Sequence, residues 1–344
     1  MRNRAAILFG TVSFCALGFI ASNLPRLYAQ TLLGLSKAAS GQIAELQLEH
    51  TIPLGDVRGR IDHMTADLAR GRVFVAELEE GSVAVIDLAL GKVVKRLGGF
   101  DEPQGVAYAP TQDRLFVANG GDGRVQVYDG GGFAPVGEIA LGEDADNVRA
   151  DPKGRILVGY GSGAIAVIDP ATLKRLADWR LAAHPEAFQI ASDGQRIFVN
   201  EPNALRIGVI GTETGQEVGR WGIAGATANF PLALDEAEQK LFVAYRMPAL
   251  LAAFNTSTGD LLVRVETCRD ADDVFVDHRR HRIYVTCGEG AIAVLDEGNL
   301  AELGRLRTRS GARTGLYVAE LDRLLVAVPA HSGEQAELRV YRPR

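Results

Sequence analysis

Short apolar runs recur along this chain, each closed off by Gly, Asp, Asn or Pro. A clear example is Arg114-Leu115-Phe116-Val117-Ala118-Asn119, followed by the turn Gly120-Gly121-Asp122-Gly123 and a second run, Arg124-Val125-Gln126-Val127-Tyr128-Asp129. Beta-branched and aromatic residues at this length, bounded by turn formers, predict strands rather than helices. The same phrase returns as Gly71-Arg72-Val73-Phe74-Val75, Gly154-Arg155-Ile156-Leu157-Val158 and Gln195-Arg196-Ile197-Phe198-Val199. Three more copies follow: Gln239-Lys240-Leu241-Phe242-Val243, His281-Arg282-Ile283-Tyr284-Val285 and Asp322-Arg323-Leu324-Leu325-Val326.

The basic residues of these phrases lie 42, 41, 41, 44, 42 and 41 residues apart. A fixed period of this size marks a repeat architecture, and four strands in roughly 40–45 residues make one propeller blade. In the second unit the four runs are 106–109, 114–118, 124–129 and 136–141. A single blade cannot bury both of its faces, so blades pack radially around a channel. The sequence therefore predicts an all-β, seven-bladed beta-propeller over residues 44–344, with four antiparallel strands per blade. The last unit ends after a third strand near 337–342. Its fourth strand is expected from 47–54, near the start, which would close the ring.

Residues 1–30 differ in character. Arg2 and Arg4 precede an apolar run over 5–21, which reads as a signal peptide or an uncleaved N-terminal anchor. Residues 31–43 read as a linker. The folded part is thus expected to be exported, either periplasmic or secreted, or anchored in the inner membrane and facing the periplasm. Contact with a membrane is expected only through the N-terminal segment. The chain carries a net charge of −6, which argues against nucleic-acid binding, since that requires a basic stripe to neutralise phosphates. Its 47% hydrophobic and 23% charged residues are those of an ordinary globular protein, expected as a monomer. Cys268 and Cys287 both fall in loops on one face of blade six. They form either a disulfide, which export permits, or two free thiols.

Candidate chemistry gathers just before the first strand of each blade. About ten residues ahead of each basic marker stand Asp62, Gln104, Asp146, Glu186, Phe230, Asp272 and Arg313. Their neighbours include His63, Glu102, Asp144, Asn147, His184, Asn229, Asp270 and Asp273. An apolar strand follows directly in most blades, so these polar side chains are expected to converge on one channel mouth. Several carboxylates at close quarters require a cation or a raised pKa. Asp62, Asp146, Glu186 and Asp272 are accordingly candidate ligands for Ca²⁺ or Mg²⁺, with His63 and His184 admitting a transition metal. Arg313 is the one cation in the column, and could pair with the acids or bind an anion. The bland alternative is a solvated rim whose Asp and Asn residues make turns. A second column after strand two, Glu77, Asn119, Tyr160, Glu201, Tyr245 and Cys287, is expected to line the same face farther out. Gly161-Ser162-Gly163 imitates a dinucleotide loop but runs into a strand, where no helix N-terminus can meet a phosphate. Trp179 and Trp221 are expected to pack between blades.

The strings Leu115-Phe116-Val117-Ala118-Asn119 and Ile283-Tyr284-Val285-Thr286-Cys287, each followed by a glycine turn, resemble the YVTN-type propeller repeat. That family includes YncE-like exported bacterial proteins and surface-layer propellers. The resemblance covers about residues 44–344 and implies fold and export rather than a particular activity. The leading expectation is an exported propeller that binds a small ligand, metal or protein partner at an acidic mouth, without chemistry. A metal-dependent hydrolase or lyase, with His63 or His184 as acid or base, is the alternative. A cell-envelope interaction scaffold is the third.

Overall fold

The computed structural model describes residues 45–223 and 225–344, so the targeting segment and linker expected over 1–43 lie outside the described residues. The described strands form seven antiparallel sheets of four strands each. In every blade the second strand is almost wholly buried, as in Arg72–Glu77 and Arg282–Cys287, because both of its faces meet a neighbouring blade. The fourth strands, such as Lys92–Gly98 and Leu261–Glu266, are largely exposed and alternate accordingly. First strands of successive blades touch one another, which places them around the channel. No helix among the described residues is long and apolar enough to cross a membrane.

The hydrophobic core is divided by interface rather than by blade. One cluster joins blades one and two through Phe74, Val83, Val106 and Leu115, and another joins two and three through Phe116, Val125, Val148 and Ile156. The series continues around the ring. It closes where Ile52 and Leu54 pack with Val73, Ile86, Leu325 and Leu338 between blades seven and one. Leu46–Gly55 pairs antiparallel with Ala336–Pro343, so the N-terminal strand supplies the missing fourth strand, as the repeat count requires. Trp179 and Trp221 serve the same interfaces. A Cβ on Gly215 or Gly259 would meet the indole of the preceding blade's Trp at 2.1 and 2.3 Å, so both turns need glycine.

The repeated basic residue has a task that the period alone does not disclose. Arg72 Nη2 donates to Gly130 O of the next blade at 2.6 Å, and Arg114 Nη1 to Ala171 O at 2.8 Å. Arg196 reaches Thr256 O at 3.0 Å, Lys240 reaches Glu297 O at 3.4 Å, and Arg282 reaches Arg344 O at 2.6 Å. In four blades, therefore, the marker clasps the turn after strand three of its neighbour, and in blade six it clasps Arg344, just past the third strand of blade seven. Charge-assisted bonds of this kind are stronger than neutral ones.

Cys268 and Cys287 are joined in a disulfide, which settles the two readings of that pair in favour of the bond. Both residues are fully buried, and the bond ties the loop entering blade six to the end of its second strand. Their separation of 19 residues predicts a stabilisation of about 3 kcal/mol from restricting the unfolded chain. Cys268→Ser with Cys287→Ser should lower the unfolding free energy read from urea titration by that amount, and the midpoint with it. An unaltered midpoint would refute the assignment.

Candidate functional site

The polar column is aimed by the backbone. Two residues ahead of it the chain adopts left-handed φ at Glu102, Asp144, Ala228, Asp270 and Gly311. Register shifts then follow between Pro103 and Val106, Ala145 and Val148, Asn229 and Leu232, and Ala271 and Asp273. Gln104, Asp146, Phe230 and Asp272 lie inside these bulges. A bulged residue is released from the ladder and re-aimed, which is how one position per blade comes to face the mouth. Asp146 and Asp272 are thus part of the sheets' first strands, and Asp146 is buried.

A polar cavity of about 590 Å³ opens at this mouth. Of the residues singled out from the sequence, Gln104, Asp146, His184, Glu186, Asp272 and Arg313 line it. Asp62, His63, Asn147 and Asp273 do not line the cavity, but form a layer against it. His63 Nε2 lies 3.6 Å from Asp146 Oδ1, 3.8 Å from Asp62 Oδ1 and 3.0 Å from the side-chain amide of Asn147. His184 Nδ1 donates to Gly161 O at 2.6 Å, while its Nε2 stands 4.0 Å from Asp146 Oδ2. Asp146 is therefore held between two imidazoles. Asp273 accepts from Gly315 N at 2.7 Å, and Gln104 donates to the exposed Asp144 at 3.3 Å.

The expectation that Arg313 stands alone against the acids is overturned. Arg60 pairs with Asp62 at 2.8 Å, and Arg246 bonds Asp272 and stacks 4.1 Å above the Phe230 ring. Arg246 also meets Asp270 at 3.2 Å, alongside Arg313, which lies 3.0 Å from Asp270 and 3.3 Å from Asp272. The missed arginines sit off the column. Arg60 is two residues ahead of Asp62, and Arg246 belongs to an unusually long second strand, Lys240–Met247. That extra length was the signal for Arg246.

These contacts set the protonation states. Burial opposes charge on His63, yet Asp62, Asp146 and Asp273 push its imidazole up to about 10. Burial likewise opposes charge on His184, but Asp146, the Gly161 carbonyl and Asp144 push it up to about 9. Burial, reinforced by Asp146 and Asp272, pushes Glu186 up to about 7. Asp273 also rises to about 7, mainly through burial. Asp146 stays well below the ordinary carboxylate range, because the two imidazoliums outweigh its burial.

The remaining candidates take other places. Asn119 and Asn229 are fully buried and do not line the cavity, so neither is presented to a ligand. Asn229 donates to Asn200 Oδ1 at 3.1 Å and to Arg206 O at 3.0 Å. The second column is mostly internal. Glu77 is held by Arg96 and Ser82, Glu201 by Arg206, and Tyr245 is buried. Their strand-two ends pair with strand three, which buries what the sequence placed on the face. Asp62 and Asp272 pair with Arg60 and Arg246, and Asp146 stands between His63 and His184. Among the described residues, the one group of three potential ligands within 4.8 Å of one another is Asp235, His278 and Glu297, away from the mouth. The acids of the mouth find their positive charge in arginine and histidine.

No family model matches this chain, and no curated protein matches it significantly. Among solved structures, it is similar to a chain of a crystal structure of the mitotic checkpoint complex. The TM-score is 0.71 at 15% identity, covering 96% of this chain and 98% of that one. The likeness shows the fold, a seven-bladed propeller.

Proposed function

We propose that this chain is an exported, monomeric propeller of the YVTN-repeat type that binds a small polar ligand in the mouth without transforming it. The observation that carries this reading is the separation of charge around one polar cavity. Arg60, Arg246 and Arg313 come from blades one, five and seven and outnumber Asp272 of blade six, which lies among them, whereas Asp144, Asp146 and Glu186 come from blades three and four and outnumber His184. On a seven-fold ring those groups stand on opposing arcs. Such a cavity suits a ligand with an anionic oxygen at one end and an ammonium or amide at the other. A general base needs a pKa near the working pH. His63 and His184, raised to about 10 and 9, are held protonated, so neither serves as the base of the hydrolase or lyase reading, and Glu186, raised to about 7, is the cavity group left for that role. The disulfide supports export into an oxidising compartment. The envelope-scaffold reading draws on the similar propeller's place in a protein complex.

A thermal-shift screen of the full chain against amino acids, dipeptides, dicarboxylates, polyamines, Ca²⁺ and Mg²⁺ tests this. At a hundredfold excess over Kd, the true ligand adds about 2.7 kcal/mol of stability. Glu186→Gln and Arg313→Ala should each remove that gain. A bifunctional ligand is expected to outperform either single-charge class. If no compound raises Tm, or if the gain survives both substitutions, the mouth is not a small-molecule site and the scaffold reading replaces it.

A further inference from the structure

The turns on the opposite face of the ring carry a second constellation. Asp235 ends the first strand of blade five, Thr227–Asp235. His278 and Glu297 follow the first and third strands of blade six, Ala271–Asp277 and Ala291–Asp296. All three belong to turns that join strands one and two or three and four, which emerge away from the mouth. One carboxylate oxygen each of Asp235 and Glu297 and an imidazole nitrogen of His278 lie within 4.8 Å of one another.

Asp235 is fully buried and Glu297 is 3% exposed, and Asp235 Oδ2 and Glu297 Oε1 have no hydrogen-bond partner among the described residues beyond the contact of the two carboxylates with each other. Two buried carboxylates in contact require a positive charge or a proton between them. Sister positions in other blades meet this need with guanidinium. Asp67 is held by Arg70 and Arg72, Asp151 by Arg155, and Asp277 by Arg280. Among the described residues no arginine is paired with Asp235. It has instead His278 Nδ1 at 3.7 Å. Lys240 Nζ is spent on the Glu297 backbone carbonyl and on Glu238 at 3.8 Å. The other Glu297 oxygen, Oε2, meets His281 Nδ1 at 3.2 Å, which fixes the carboxylate with Oε1 turned inward.

We infer that Asp235, His278 and Glu297 bind a divalent transition-metal ion, with zinc as the best chemical match, across the interface of blades five and six. One imidazole and two carboxylates form the mixed N/O set that zinc accepts, whereas Ca²⁺ and Mg²⁺ prefer oxygen alone. Four-coordinate zinc spaces its ligand atoms roughly 3.3 Å apart, so a small inward turn of the exposed His278 ring completes three ligands. Water takes the fourth position. The ion would pin blade five to blade six just where Lys240 makes the longest of the inter-blade clasps.

The full chain, stripped with chelator and titrated with CoCl₂ and then ZnCl₂, tests this. One Co²⁺ per chain should bind with the visible absorption of a low-coordinate site, and Zn²⁺ should displace it. His278→Ala removes an exposed ligand and leaves the fold intact. It should weaken Co²⁺ binding at least tenfold, while Glu297→Gln abolishes it and His331→Ala changes nothing. If His278→Ala binds Co²⁺ as tightly as the unaltered chain, or no stoichiometric ion binds, the inference is overturned and the two carboxylates share a proton only.

Discussion

A chain that begins at residue 56 is expected to lose its cooperative melt, whereas one that begins at residue 37 retains it. The strand Leu46–Gly55 is the outer strand of blade seven and supplies part of the contact between that blade and blade one. Leu46, Ile52 and Leu54 are each only 2% exposed, and fully burying such side chains contributes about 1.5–3 kcal/mol apiece. Their loss alone therefore removes roughly 4.5–9 kcal/mol, out of a total stability of about 5–15 kcal/mol for a typical domain. Deletion would also strip the hydrogen-bonding edge of Ala336–Pro343 and the ion pairs of Glu45 with Arg282 and Glu49 with Arg323, both 2.5 Å long. Calorimetry of the two chains decides the matter. Equal melting temperatures would mean that the ring is not closed by this strand. Ile52→Ala and Leu54→Ala, each expected to lose about 2–5 kcal/mol, report the same interface without exposing an edge.

Propeller geometry was legible in the sequence because one physical rule is applied seven times. Every blade must bury its second strand on both faces, so the apolar phrase and its glycine or aspartate turn recur with little freedom. Closure followed from arithmetic, since three strands at one end require a fourth from the other. The mouth was legible in part, because the column position is set by the repeat. Gln104, Asp146, Glu186, Asp272 and Arg313 do line one cavity. What a period cannot convey is how far a side chain reaches or which of two alternating faces it takes. Arg246 arrives from an extended strand to meet Asp272, and Asn119 turns inward although its neighbours on the turn are exposed. The cluster of Asp235, His278 and Glu297 was invisible for a related reason. Its members are separated in sequence and come from turns of two blades, so no spacing motif betrays them.

Asp146→Asn should be the most costly single substitution at the mouth, and its cost should depend on pH with a definite sign. The carboxylate is 5% exposed and lies 3.6 Å from His63 and 4.0 Å from His184. Both imidazoles titrate in the folded protein well above their unfolded value of about 6.5. A raised pKa contributes stability that is fully present below the unfolded value and is lost as pH rises through the folded one. The unaltered chain should therefore hold this contribution at pH 6 and lose it as pH rises through 9 and 10. Glu186 and Asp273, raised to about 7, work in the same direction at lower pH, since their protons favour the folded state. Breaking a buried pair by removing one partner costs about 3–5 kcal/mol. The amide keeps the shape of Asp146, and His63 retains Asp62, so about 3 kcal/mol is expected at pH 6. By about pH 10.5 His184 is neutral and most of His63 is too, and Asp146 is then a buried anion that has lost most of its cationic surroundings. The difference should close there or change sign. Urea unfolding at pH 6, 8 and 10.5, with NMR titration of the two imidazoles, measures each part separately. Imidazoles that titrate near 6.5 in the unaltered chain, or a loss that is the same at all three pH values, would show that Asp146 does not hold the two charges together.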